Sequence, residues 1–232
     1  MLEKPVASGI FFQVDTVKGY RFWDVAGVLA NTYVDRFQVV NYAQNTLFCS
    51  APRDPEDAIL ELRASIANIW LSFRPTVSWV AVRQEAGRTI DYIARAISVT
   101  QFSRIGLRVA YLWGGESLEQ IIDVEKSRVL RAHEHGWDAL GNVGGGEYVV
   151  NVTTNRLAAR VAFAPVQKQG GIGVVSATEP NLPDHAILLD VDLVANRPGD
   201  AIDVNPHLNL AIKFLDDQLI PFVARLLIDE DS

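Results

Sequence analysis

Alternating apolar and polar residues recur along the chain and predict β-strands, because successive side chains of a strand point to opposite faces. The first such stretch, ASGIFFQVDTV, is rich in the aromatic and β-branched residues that strands favour. The strongest is HAILLDVDLVANR, in the last quarter of the chain. The predicted strands cover residues 7–17, 37–41, 46–50, 103–113, 156–166 and 185–197.

Apolar residues at intervals of three and four predict helices, each with one buried face. The most regular pattern runs from Trp79 to Ile97, although Gly87 in its middle costs roughly 1 kcal/mol relative to alanine and makes a break possible. Ser117 is placed to cap the helix that follows. The predicted helices cover residues 22–33, 79–97, 117–133 and 206–227.

The last predicted helix carries a proline and an apolar stripe. Pro221 predicts a kink or a short break, because proline has no backbone N–H group. Burying one Leu or Phe side chain contributes roughly 1.5–3 kcal/mol, so the stripe is too apolar to remain in water. We expect it to pack on the sheet; in the alternative, a partner or a second copy covers it. The stripe consists of Leu208, Ala211, Leu215, Leu219, Phe222 and Leu226.

The segment 54–73, DPEDAILELRASIANIWLSF, fits two structures. Asp54 and Pro55 are typical of a helix start, and the apolar residues after them fit a helical stripe. The stretches ILELRA and IANIWLSF also alternate like the two arms of a hairpin. Periodicity alone leans modestly toward the helix.

The predicted elements follow one another without strict β–α–β alternation, and no internal repeat is visible in the sequence. This order favours an α+β fold: a largely antiparallel sheet with helices packed on one face and the C-terminal helix docked on the sheet. We expect a single domain over residues 1–232, because the last two elements are too short to stand alone.

Composition and charge narrow the range of partners. The 232 residues are 49% hydrophobic and 21% charged, as in an ordinary folded domain. The net charge of −7, without a run of basic residues, predicts no nucleic-acid partner. The start has no signal-peptide pattern, and the apolar stretches fall well short of the ~20 residues of a membrane span. We therefore expect no membrane association and a cytoplasmic location; a homo-oligomer stays open.

The residue types that often carry catalysis or bind metals are present in unsuitable patterns. His133 and His135 are two residues apart near a helix end, whereas a zinc pair on a helix needs a spacing of four. Cys49, in the apolar stretch LFCS, is typical of a buried small residue. The glycine-rich stretches 141–147 and 170–173 do not open onto a helix start, as a phosphate site requires. These patterns predict no metal, no cofactor and no catalytic residue.

Four charged residues inside two apolar strands are the most informative polar positions. Arg104 and Arg108 share one face of the strand 103–113, and Asp190 and Asp192 share one face of the strand 185–197. Charges in such strands are costly unless they are paired or solvated. We expect both strands in one sheet, with an arginine within salt-bridge reach of an aspartate. A structural ion-pair lattice or a solvated sheet face is favoured over a groove that binds a ligand or partner.

The same two strands carry a resemblance to a known family. SRIGLRVAYLW resembles the R-x-G-L-R signature of an uncharacterised, sporadically distributed prokaryotic family, and ILLDVDLVANRP before the last helix is similar to that family's D-x-D strand. Val109 stands where family members tend to carry an aromatic residue. The resemblance implies a hairpin at 54–73 and, from the patchy distribution, mobile or defence-linked gene neighbourhoods. It implies no activity.

Three functions stay open. We favour a non-enzymatic interaction or regulatory module that docks a protein partner, because catalytic motifs are missing and the chain has five tryptophans, a residue enriched in interface hot spots. The alternative is a binder of a small apolar ligand, held in a pocket between the sheet and the C-terminal helix. An enzyme that uses the strand arginines and aspartates is the least favoured.

Overall fold

The computed structural model describes residues 2–17, 19–43, 45–131, 146–167, 182–195 and 203–227. These residues form a nine-stranded sheet in which every neighbouring pair is antiparallel. The strands are β1 (Val6–Thr16), β2 (Phe37–Ala43), β3 (Thr46–Pro52), β4 (Ile59–Ser65), β5 (Asn68–Phe73), β6 (Phe102–Gly115), β7 (Tyr148–Thr153), β8 (Leu157–Gln167) and β9 (His185–Ala195).

The helices of the described residues connect these strands or follow the last one. They are α1 (Phe22–Tyr33), α2 (Trp79–Ala96), α3 (Leu118–Val124), α4 (Asn205–Phe214) and α5 (Ile220–Leu227). A π-helical turn, Glu125–Val129, extends α3, and a second one, Leu215–Leu219, joins α4 to α5. Of the helices described, none is both long enough and apolar enough to cross a membrane.

The strand order β2-β3-β4-β5-β1-β6-β9-β8-β7 divides the sheet into two halves of similar topology, β1–β5 and β6–β9, the first with one more strand in its meander. In each half a first strand (β1 or β6) is followed by a helix, and the next strands then form a meander whose last member pairs with the first strand. A helix ends each half. The two first strands pair at the centre of the sheet, with Phe12 opposite Leu107. The structure therefore contains a topological repeat that is not visible in the sequence.

The helices pack on one face of this sheet, which confirms the expected α+β architecture. Phe12 of β1 and Leu189 of β9 belong to the same core cluster as buried residues of every helix, among them Leu29 of α1, Ile93 of α2 and Leu208 of α4. Alternate residues of each strand point to the opposite face, as the pleat requires. This face carries the candidate site described below.

The segment 54–73 is a hairpin, so the helix favoured by its periodicity is wrong. Ile59–Ser65 and Asn68–Phe73 pair as β4 and β5. The Ser65 hydroxyl closes the turn between them by accepting hydrogen bonds from the backbone N–H groups of Ala67 and Asn68, both at 3.1 Å. Asp54 holds a local turn rather than a helix start, because its Oδ1 accepts from the Glu56 N–H at 2.9 Å. The two-residue alternation outweighed the helical spacing, since both strands bury one face in the core.

Helix α2 continues past Gly87 without a break. A Cβ atom at this position would lie 3.0 Å from Nδ2 of Asn205, at the start of α4. The glycine thus permits the close approach of α4 to α2, which outweighs its low helix propensity. The expected cap of α3 is also present, because the Ser117 hydroxyl accepts from the Gln120 N–H at 3.2 Å.

The C-terminal helix docks on the sheet as expected, but its last two stripe residues were wrongly assigned. Val223 and Leu227 are buried, whereas Phe222 is 54% exposed and Leu226 is only partly buried. The π-helical turn Leu215–Leu219 shifts the buried face by one residue. Pro221 accounts for this turn, because it cannot donate to the carbonyl four residues earlier.

Several predictions concern residues outside the described ranges. His133, His135, Trp137 and the glycine-rich stretch 170–173 lie there, as does most of the stretch 141–147. The predicted end of the third helix near residue 133 is wrong, because the helix ends with the π-helical turn at Val129 and the backbone of Arg131 is left-handed, with φ of 46°.

Candidate functional site

The face of the sheet opposite the helices carries a row of stacked side chains in the first half. The guanidinium of Arg63 on β4 lies 4.7 Å from the ring centre of Trp70 and 5.3 Å from that of Phe48. Trp70 in turn stacks on Phe11 of β1, with ring centres 5.6 Å apart and planes inclined by 22°. These four residues, the aromatic row, are all partly or largely exposed. Cation–π and offset-stacked pairs of this kind hold their side chains in one orientation.

The second half of the same face carries the four charged residues expected from the sequence, and the structure brings them together. Nε and Nη2 of Arg108 donate to the two carboxylate oxygens of Asp190 at 2.8 and 2.7 Å. Nη2 of Arg104 donates to both oxygens of Asp192, at 3.1 and 2.9 Å. The expected pairing is confirmed. Arg160 of β8 adds a weaker contact to Asp190, at 3.8 Å.

The register of β6 and β9 explains which arginine meets which aspartate. Arg108 lies directly opposite Asp192, yet it bonds to Asp190, a diagonal neighbour two residues away. Arg104 reaches Asp192 by lying along its own strand, over Gly106. A Cβ atom on Gly106 would lie 3.1 Å from the guanidinium carbon of Arg104. The glycine between the two arginines therefore makes room for this side chain.

The two ion pairs differ in burial. The side chain of Asp190 is 10% exposed, whereas those of Arg104 and Asp192 are each 30% exposed. Hydrogen bonding to Asp190 raises the pKa of Arg108 above its already high ordinary value. Arg108 therefore remains charged throughout the physiological pH range, and Asp190 depends on Arg108 for its main partner.

A depression of about 220 Å³ lies where the aromatic row meets the ion pairs. Phe11 and Trp70 form one wall, and Arg104 and Arg108 form another. The bonds to the aspartates leave Nε of Arg104 and Nη1 of both arginines without an acceptor among the described residues. The depression thus combines aromatic surface with unused N–H donors.

Next to the ion pairs, a small cluster of apolar side chains covers part of the same face. It contains residues of β6, β8 and β9 together with Leu182, which precedes β9, and no residue of the described helices. On this face the cluster leaves exposed polar side chains at the edge of the second half, where Arg160 of β8 forms an ion pair with Glu147. The cluster consists of Ala110, Leu112, Val166, Leu182, Ala186 and Leu188.

Other residues that could carry chemistry are unsuited to it. Cys49 is fully buried, and burial raises the pKa of its thiol to about 12, so the thiol stays protonated at neutral pH. Burial lowers the pKa of His207 below its usual value. No three His, Cys, Asp or Glu side chains within the described ranges lie close enough together to hold a metal ion.

Two features were not found by sequence reasoning. The aromatic row was missed because Arg63 and Trp70 lie in the segment whose structure was ambiguous; in a hairpin they fall opposite each other on one face. Glu125 was missed because nothing in the sequence marks it. It is fully buried at the start of a π-helical turn, and the Gly146 N–H donates to its Oε2 at 3.3 Å, while Oε1 has no hydrogen-bond partner among the described residues. Burial raises the pKa of its carboxyl.

We compared the chain with known protein families, curated proteins and solved structures. The chain matches no protein-family model, no curated protein and no solved structure. Its function must therefore be inferred from the geometry of the molecule itself.

Proposed function

We propose that this protein is a non-enzymatic interaction module that docks a protein partner on the uncovered face of its sheet. The observation that carries the proposal is the partly exposed aromatic row beside the depression. Trp, Tyr and Arg dominate the energetics of protein interfaces, and large rings held in one orientation lose little entropy on binding. Here Phe11 and Trp70 are already held by stacking and by the guanidinium of Arg63.

The depression indicates which part of a partner enters it. Arg104 and Arg108 present N–H groups there that have no acceptor in the described part of the chain. An Asp or Glu side chain, or a backbone carbonyl, supplies such an acceptor. We therefore expect the partner to place an oxygen acceptor between the two arginines and apolar surface on Trp70.

A protein partner is favoured over a nucleic acid by the balance of charge. Arginine–aromatic surfaces also bind single-stranded nucleic acids, but those surfaces follow the phosphate backbone with excess positive charge. In this protein Arg104 and Arg108 are each paired with an aspartate, and the whole chain carries a net charge of −7. Phosphate groups would meet a surface that is close to neutral.

A matched pair of tryptophan variants tests the proposal in pull-down experiments from the source cells. Trp70→Ala removes the centre of the aromatic row. Trp23→Ala removes a tryptophan of α1, on the helix side, that is 51% exposed. We expect the wild type and Trp23→Ala to retain the same partner and Trp70→Ala to lose it. Retention by Trp70→Ala together with loss by Trp23→Ala would place the interface on the helices and overturn the proposal.

A further inference from the structure

A larger groove lies on the helix side of the sheet, between the last two strands, β8 and β7, and the C-terminal helix. Its volume is about 500 Å³, within the range of roughly 300–1,000 Å³ that is usual for small-molecule sites. Val152 and Phe163 line it from the strands, and Phe214, Pro221 and Phe222 line it from the helix. The groove is separate from the aromatic row, because the sheet lies between them.

The π-helical turn explains why this groove is open. The turn and Pro221 rotate the end of the helix, so that Val223 fills the core while Phe222 remains 54% exposed at the groove. On the other side, β7 is the last strand of the sheet, and Val152 is 36% exposed. Apolar surface is thus left uncovered on both walls.

Charged residues mark the two ends of the groove. Asp217 and Arg225 both line it, and they are eight residues apart on the helix, roughly 12 Å at 1.5 Å per residue. Neither side chain forms an ion pair within the described residues. A linear ligand that lies along the helix therefore meets a cation at one end and an anion at the other.

We propose that this groove binds a single-chain amphipathic carboxylate, such as a medium-chain fatty acid, with the carboxylate at Arg225 and the chain against Phe222 and Val152. The volume and the apolar walls suit an acyl chain, and Arg225, which has no ion pair among residues 203–227 or the other described ranges, supplies the complementary charge. Asp217 repels a carboxylate at the opposite end, which fixes the orientation. A second copy of the protein is a poorer occupant, because a stable interface buries roughly 800 Å² on each partner rather than one narrow groove.

Dodecanoate titrated calorimetrically into the full-length protein tests the proposal. We expect saturable binding of one molecule per chain. Arg225→Gln should weaken binding about tenfold, as expected for loss of a charged hydrogen bond. Lys213→Gln, which removes an exposed cation of the same helix outside the groove, should leave affinity unchanged. Dodecanol should bind the wild type more weakly than dodecanoate, and Arg225→Gln should abolish that difference.

Phe222→Ala separates binding from stability. Because the side chain is largely exposed, we expect an unchanged melting temperature and weaker dodecanoate binding. Absence of saturable binding, or equal affinity for dodecanol and dodecanoate in the wild type, would overturn the proposal. So would a wild-type dimer that Phe222→Ala converts to a monomer, since a second copy would then cover the groove.

Discussion

The two halves of the sheet are similar in topology but use the same uncovered face differently. In the first half, Arg63 is held between the rings of Phe48 and Trp70, and its carboxylate contact, Glu61, lies 3.2 Å away at the surface. In the second half, Arg108 is held by two bonds to the buried Asp190. One half surrounds a cation with aromatic rings, and the other neutralises it with a carboxylate.

This difference separates recognition from stability. A ring that stacks on a guanidinium remains a large apolar surface, available to a partner. A buried carboxylate needs its cation for stability, because removing the cation leaves an uncompensated buried charge. The comparison predicts that breaking the Arg108–Asp190 pair lowers the free energy of unfolding more than it weakens binding, although Arg108 also lines the depression. It predicts the reverse order of effects for substitutions in the aromatic row.

The largest effect on stability is expected for Arg108→Ala. Asp190 would lose both of its short hydrogen bonds to Arg108 and, among the described side chains, keep the contact with Arg160 at 3.8 Å. We expect a loss of about 2 kcal/mol in the free energy of unfolding, more than the ~0.2–1 kcal/mol of a surface pair and less than a fully buried pair, since Arg108 is half exposed. Urea denaturation measures the change. A loss within the range of a surface pair would show that Asp190 is adequately solvated.

Trp70→Ala should cost less stability, about 1.5 kcal/mol, from its ring stacking and its contact with Arg63. Its effect on partner binding should be larger than that of Arg108→Ala when both are compared under conditions where each protein is folded. The comparison between the halves would fail if Arg108→Ala abolished partner capture and Trp70→Ala did not.

Arg63→Met should have a smaller effect still. The substitution keeps an apolar stem and removes the cation, so we expect a loss of about 0.5–1 kcal/mol in the free energy of unfolding. Arg95→Met is the matched control, because Arg95 is a 73% exposed arginine of α2 with an ion pair to Asp91. Equal losses in the two variants would mean that the rings add nothing beyond an ordinary surface ion pair.

Glu125 offers a third case, a buried carboxyl that has neither a ring nor an arginine among its hydrogen-bond partners in the described part of the chain. Its pKa is raised in the folded state, so its ionisation favours unfolding as the pH rises above the ordinary glutamate pKa of about 4.3. Glu125→Gln should therefore raise the melting temperature at neutral pH, by an amount that disappears near pH 4. A variant that is less stable than the wild type at neutral pH would contradict this account.

The sequence was most informative where its apolar residues fitted only one periodicity. The two arginines of one strand were correctly expected to meet the two aspartates of another, because alternation in two long strands fixes which side chains share a face. Which arginine meets which aspartate was left open. The hairpin at 54–73 could not be decided, since its apolar residues satisfy both periods. Only pairing with β3 and β1 on either side, a non-local effect, selects the strands.

The remaining features depend on tertiary structure. The groove beside Phe222 exists because a π-helical turn shifts the buried face by one residue, and the position of such a turn is not encoded in the spacing of apolar residues. The aromatic row likewise requires β3, β4, β5 and β1 to be adjacent, an order that the sequence does not reveal. In the sequence, Pro221 predicted a kink or a short break in the helix. It did not predict that Phe222 would stay exposed beside a groove.

The most direct test of the central claim places a photo-crosslinker on each side of the sheet. Cys49 is the single cysteine of the chain and is fully buried, so Gln13→Cys in the depression and Asp24→Cys on α1 each provide one accessible thiol for labelling. The account predicts that, in source-cell lysate, the probe at position 13 captures a specific protein and the probe at position 24 does not. Capture of that protein from position 24 alone, or equally from both positions, would contradict docking on the uncovered face.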